Sequence, residues 1–177
     1  MRHLIHPVCG STGAGKTTYA LELAARVEGV RFSIDEWMAT LFWMDSPQPI
    51  EPSWSLQRVD QCYRQIWSTA VQVAGCGTPC VLDLGFSQAA SRIQIYDRAR
   101  AAELSVQLHF LDVPKEERWR RVLERNSGKA GAQQLTFGID RAMFDFVESL
   151  WEAPGAEEMS AHDAVRPTPK LAQRADP

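Results

Sequence analysis

Apolar residues fall along this chain in two alternating rhythms. Short apolar-rich runs recur at Leu4 to Cys9, Val30 to Ile34, Cys80 to Leu84 and Val106 to Leu111, each of a length that suits a buried strand. Between them the apolar positions space at 3.6 residues. Ala20, Leu23, Ala24 and Val27 predict a helix over Lys16 to Val27, with Gly29 in the place of a left-handed C-cap. A short helix is expected from Asp35 to Phe42, and Pro47, Pro49 and Pro52 mark a loop. A long helix follows from Ser53, where Val59, Cys62, Tyr63, Ile66, Trp67, Ala70, Val71 and Ala74 form one stripe before Gly75, Gly77 and Pro79 end it. Further helices are predicted over Gln88 to Glu103, from Pro114 to Arg125, and over Asp140 to Trp151. Asn126 to Thr136 has two glycines and no period, which predicts a mobile connection. Beyond Pro154 the chain turns polar, and Pro167 to Pro177 is expected to be disordered.

Strands alternating with helices predict an α/β sandwich around a mostly parallel sheet. At 177 residues, 45% hydrophobic and 23% charged, the chain suits one domain with a sizeable core. Its formal charge of -3 provides no global field for nucleic acid. Between Arg92 and Lys129, however, nine Lys/Arg face six Asp/Glu, a balance that fits a small anion. Cys76 and Cys80 flank a Gly-Thr-Pro turn that could hold a ligand. The four cysteines have no histidine partners at zinc spacing, and the plainer reading is free thiols in a reducing cytosol. No signal-like or membrane-spanning stretch is expected, so a cytoplasmic protein is anticipated.

Gly10 to Thr17 read G-S-T-G-A-G-K-T directly after the first apolar run. This spacing turns backbone N–H groups of Gly10, Ser11, Thr12, Gly13, Ala14 and Gly15 around a phosphate chain. Lys16 then reaches the β- and γ-phosphates, and the Thr17 hydroxyl can ligate Mg²⁺. The first helix points its positive end at the same anion. In a parallel sheet, ligands bind beyond the carboxyl ends of the strands, where Gly10, Asp35, Asp83 and Asp112 all fall.

Phosphoryl transfer also needs a group near the acceptor hydroxyl and positive charge on the migrating phosphoryl. Asp35 suits the first role, or else caps the short helix that follows it. Asp83 ends P-C-V-L-D and suits a metal, directly or through water, or else caps the next turn. Asp112 precedes Val113-Pro114 and reads as a structural turn. Arg118, Arg121 and Arg125 share one side of a helix and can meet phosphate, with Arg121 or Arg125 favoured, or can pair with Glu116, Glu117 and Glu124. Arg92 can hold the acceptor or a phosphate, or form a surface salt bridge. Trp37, Met38, Leu41, Phe42, Trp43 and Met44 can line an aromatic acceptor pocket or belong to the core. His3, His6, His109 and His162 show no metal spacing and read as structural.

With GSTGAGKTT, FSIDEWM, VLDLGF with Arg92 downstream, and LDVPKEERWRRVLERN followed by MFDFVESLWEAP, the chain resembles small P-loop kinases of the AAA_33 or zeta-toxin-like group, related to polynucleotide kinase and chloramphenicol phosphotransferase. The resemblance runs from the first strand to about Glu158 and implies a three-layer P-loop NTPase sandwich. It implies sheet order 2-3-1-4-5, ATP as the nucleotide, and Gly13, Gly15, Lys16, Thr17 and Thr18 on the donor, while Mg²⁺ at Thr17 and Asp83 is expected from the residues themselves. Asp35 would be the general base, and a lid over about 118–136 would carry Arg121 and Arg125; from the residues themselves, Trp37 and Arg92 are expected on the acceptor side. A kinase domain over 1–158 and a partly disordered tail over 159–177 follow. The fifth strand, expected at Met159 to Val165, is only weakly strand-like. The acceptor is expected to be a small hydroxylated or nucleotide-like molecule. The alternatives are a nucleotide-switched ATPase or module acting on a protein partner, and a polynucleotide 5′-kinase, which the net charge disfavours. Oligomeric state is not indicated.

Overall fold

A computed structural model describes residues 4–127 and 138–167. The connection read as mobile lies mostly outside the described residues, as do the far tail and His3. Four parallel strands form the sheet: β1 (Ile5–Cys9), β2 (Val30–Ser33), β3 (Cys80–Asp83) and β4 (His109–Phe110), in the order β2-β3-β1-β4. The helices are α1 (Lys16–Val27), α2 (Ile34–Phe42), α3 (Pro52–Gly75), α4 (Ala89–Ala101), α5 (Lys115–Asn126), α6 (Arg141–Ser149) and α7 (Ala156–Ala161).

Both faces of the sheet are covered, which explains why its strands read as apolar runs rather than as alternating patterns. Ile5, Cys9, Phe32, Cys80 and Leu82 point to one side, where they pack with Cys62, Ile66, Ala70 and Ala74 of α3 and Ile95 of α4. Val8 and Val81 point to the other, against Ala20, Leu23 and Ala24 of α1. That gives three layers. A third, smaller cluster of Val122, Ile139 and Phe144, with Trp119 against it, joins α5 to α6.

The left-handed residue ending α1 is Glu28 (φ 55°), not Gly29. Gly29 is required for a different reason: a Cβ there would sit 2.5 Å from the carbonyl oxygen of Pro79, where β2 begins beside β3. The fifth strand is also corrected. Met159 lies inside α7, where A-E-E-M-S-A favours a helix, and only Val165 reaches the sheet, as a single parallel bridge to His109. Among the described residues the sheet therefore has four strands rather than five. The boundary expected at 158 falls within α7, and residues 159–167 are docked against the domain instead of trailing from it.

Candidate functional site

The phosphate loop connects β1 to α1 and is tightly enclosed. Gly13 has φ +82°, and a Cβ on it would enter the shell of the Arg118 carbonyl on α5. Both facts require glycine at this position. Lys16 Nζ donates to the carbonyls of Gly10 at 2.9 Å and Ser11 at 3.3 Å. Desolvation lowers its pKa, and the negative charges of Asp83 and Asp35 oppose that shift.

Asp83 ends β3 and is buried at 6% exposure. Burial raises its pKa, while Lys16, Arg31 and a hydrogen bond from the Thr17 side chain pull it down. It does not cap the following helix, whose N-cap is Gln88. Thr17 and Asp83 therefore present a hydroxyl and a carboxylate in mutual contact, the donor pair a hard divalent cation accepts alongside phosphate oxygens. Arg31, which the sequence reading missed, donates to Asp83 Oδ2 at 3.0 Å and also pairs with Glu36. Its role depends on strand register, since Ser33 is paired with Asp83 and Arg31 lies two residues before it. Sequence alone carries no such signal.

Asp35 is exposed in the first turn of α2. The cap of that helix is Ser33, whose hydroxyl accepts from the Glu36 N–H at 3.4 Å. That removes the capping alternative for Asp35. Its charge raises the pKa of Lys16, Asp83, Arg125 and Tyr63, which stand at the start of α1, the end of β3, and on α5 and α3. Arg125 has an Nη2 atom that is buried with no hydrogen-bond partner among the described residues. Desolvation lowers its pKa, offset by Asp35. A buried guanidinium nitrogen without a partner fits an anion such as phosphate. Arg121 reaches the loop at the Ala14 carbonyl (3.4 Å) and is braced by Glu117 at 2.9 Å.

Other candidates are placed elsewhere. Arg118 does not pair with the glutamates of its own helix; it is 5% exposed and held by Glu148 of α6. Arg120 takes Glu117 and Glu124 instead. Arg92 is 1% exposed and fully engaged by Glu158, the Glu152 carbonyl and the Phe86 carbonyl. It forms a buried ion pair, neither a free acceptor contact nor a surface bridge. Trp37, Met38 and Phe42 pack against the main core, whereas Leu41, Trp43 and Met44 are exposed. Asp112 is exposed and 3.7 Å from Arg166. His6 and His109 are buried and bonded to each other at 3.1 Å, with Tyr19 on His109 at 2.8 Å. All four cysteines are free, and no group of three or more His, Cys, Asp or Glu among the described residues could hold a metal.

The AAA_33 family model, described as an AAA domain, matches residues 5–145. That span contains the loop, Asp35, Asp83 and the arginines of α5. The chain belongs to the AAA_33 family. No functionally curated protein matches it significantly. Among solved structures, this AAA_33 chain is similar to Kti12 of Chaetomium thermophilum in complex with ADP-AlF3 (TM-score 0.65, 18% identity, 97% of this chain and 90% of that one). It is also similar to a sugar kinase from Janibacter sp. HTCC2649 (TM-score 0.60, 17% identity, 89% and 82%). APS kinase CysC of Mycobacterium tuberculosis, in complex with AMPPNP and APS, aligns at TM-score 0.53 and 14% identity over 84% and 95%. At these identities the likeness establishes the fold alone. No helix among the described residues is long and apolar enough to cross a membrane.

Proposed function

We propose that this AAA_33 protein is an ATP-dependent kinase that phosphorylates a hydroxyl of a small acceptor. The amides from Gly10 to Gly15, with Lys16, Thr17 and Thr18, hold the triphosphate at the N-terminus of α1. Mg²⁺, held by Thr17 with Asp83 facing it, would neutralise charge on the β- and γ-phosphate oxygens. Asp35 accepts the proton of the acceptor hydroxyl as its oxygen bonds to the γ-phosphorus and the bond to ADP breaks. Arg121 and Arg125 meet the equatorial oxygens, where negative charge spreads.

One observation carries this reading. The Asp35 charge bears on the protonation of Lys16, Asp83 and Arg125, and Arg125 Nη2 is buried with no hydrogen-bond partner among the described residues, which supports grouping a base candidate, a phosphate ligand, a metal-side carboxylate and an arginine in one site. The test uses purified protein, radiolabelled ATP and a metabolite extract, with phosphorylated products found by mass spectrometry. Lys16→Ala should abolish both ATP binding and transfer. Asp35→Ala should abolish transfer and leave ATP binding within about threefold. Full transfer by Asp35→Ala would remove the base.

Exposed Leu41, Trp43 and Met44, the last 91% exposed, favour a second reading, a nucleotide-switched module that docks a protein partner there. It requires nucleotide-dependent partner affinity and no phosphate on any acceptor.

A further inference from the structure

Glu148 lies in the MFDFVESLWEAP segment, where the sequence reading gave it no role, yet it ties the phosphate loop to the two helices beside it. Its Oε2 accepts from the Ser11 hydroxyl at 2.7 Å and from Arg118 Nη1 at 2.7 Å, and its Oε1 accepts from Arg118 Nη2 at 2.6 Å. Arg118 also donates to the carbonyls of Val113 at 2.8 Å and Thr12 at 3.3 Å. One carboxylate thus joins the loop, the first half of α5, and α6.

The remaining packing between these two helices is their own. Val122, Ile139, Phe144 and Trp119 form a cluster that shares no residue with either core of the sheet. The pair α5–α6 therefore meets the loop through the Arg118 backbone at Gly13, the Arg118–Glu148 group and Arg121. Arg125 lies seven residues beyond Arg118, about 10 Å along the helix. A tilt of about 10° about Arg118 would displace Arg125 by about 2 Å, enough to lose a phosphate contact.

We propose that Glu148 is a positioning residue that sets the angle of α5 over the phosphate loop, placing Arg121 and Arg125 against the terminal phosphate of a bound triphosphate. The inference rests on the reading that these arginines meet the γ-phosphate. It predicts an effect that tracks the third phosphate, whereas general loosening of the loop would weaken every nucleotide alike.

The experiment measures Kd for Mg-AMPPNP and for Mg-ADP by calorimetry in the wild type, Glu148→Gln, Ser11→Ala and Arg121→Ala. Glu148→Gln should weaken AMPPNP about tenfold and ADP less than threefold, matching the selectivity change of Arg121→Ala. Ser11→Ala, which leaves the Arg118–Glu148 pair intact, should shift in the same direction by about threefold and serves if Glu148→Gln does not fold. Adding Arg121→Ala to Glu148→Gln should cost less than Arg121→Ala alone. Equal loss for both nucleotides, or full additivity, overturns the role of Glu148. An Arg121→Ala variant with unchanged selectivity overturns the arginine assignment and this inference with it. A wild type that binds neither nucleotide overturns the kinase reading itself.

Discussion

Glu158→Ala removes the carboxylate that holds Arg92, and the surroundings of that arginine set the size of the effect. The Arg92 side chain is 0% exposed, with Nε at 2.6 Å and Nη2 at 3.0 Å from Glu158, whose side chain is 19% exposed. Breaking one partner of a buried pair costs about 3–5 kcal/mol, because the other charge is left stranded. Here Nη1 keeps the carbonyls of Glu152 at 2.8 Å and Phe86 at 3.4 Å, which moves the expectation to about 3 kcal/mol. For a chain of this length that is a fall in Tm of about 6–12 °C. Arg92→Met should cost less, since Glu158 can turn to water and keeps the Tyr96 hydroxyl at 2.8 Å. The assay is thermal unfolding followed by circular dichroism, with Kd for Mg-AMPPNP measured alongside and expected within twofold of wild type. If Glu158→Ala melts within 2 °C of wild type, or Arg92→Met is the more destabilised, the guanidinium is not held as described.

Two further outcomes follow from buried ion pairs and thiols. Hydrogen bonds from Arg118, together with Ser11, lower the Glu148 pKa, and Arg92 and Tyr96 lower that of Glu158 against the opposing effect of its burial. Both carboxyls therefore bind protons less readily in the folded chain than in the unfolded one. Their stabilisation should be complete above the ordinary glutamate range and lost as pH falls below about 4.5, so urea midpoints should decline from pH 6 to pH 3; a flat profile contradicts this. Burial pushes the Cys9 thiol up to about 12 and Cys80 to about 11, and Cys62 is buried, whereas Cys76 is exposed. One thiol should react with maleimide within minutes at pH 7 and three only on unfolding, as intact-mass spectrometry would count; two fast thiols would contradict the burial pattern.

Some of the site was legible because its chemistry is local. The loop spacing from Gly10 to Thr17 specifies a backbone path by itself, and the strand end that carries Asp83 follows from an apolar run that stops, whereas Asp35, expected at the end of the second strand, lies in the first turn of α2. Arg118 and Arg92 were harder to read, since Arg118 stands beside Glu116 and Glu117 like a surface pair and Arg92 has no acidic neighbour that points to its partner. Arg118 instead crosses to Glu148 and Arg92 to Glu158, separations of 30 and 66 residues. The fifth strand failed for a related reason: Met159 joins a helix packed on the main core, and only Val165 remains free to bridge β4.

What the sequence determined alone is the period of the strands and helices up to α6 and the phosphate loop, because turn geometry and side-chain spacing act over a few neighbouring residues. Tertiary structure decided which charges meet. Arg31 finds Asp83 through strand register, Glu148 finds Ser11 through the docking of α6, and Arg125 is left with a buried nitrogen near Asp35. Such pairings depend on distance and burial in space, which the order of residues along the chain does not encode one pair at a time.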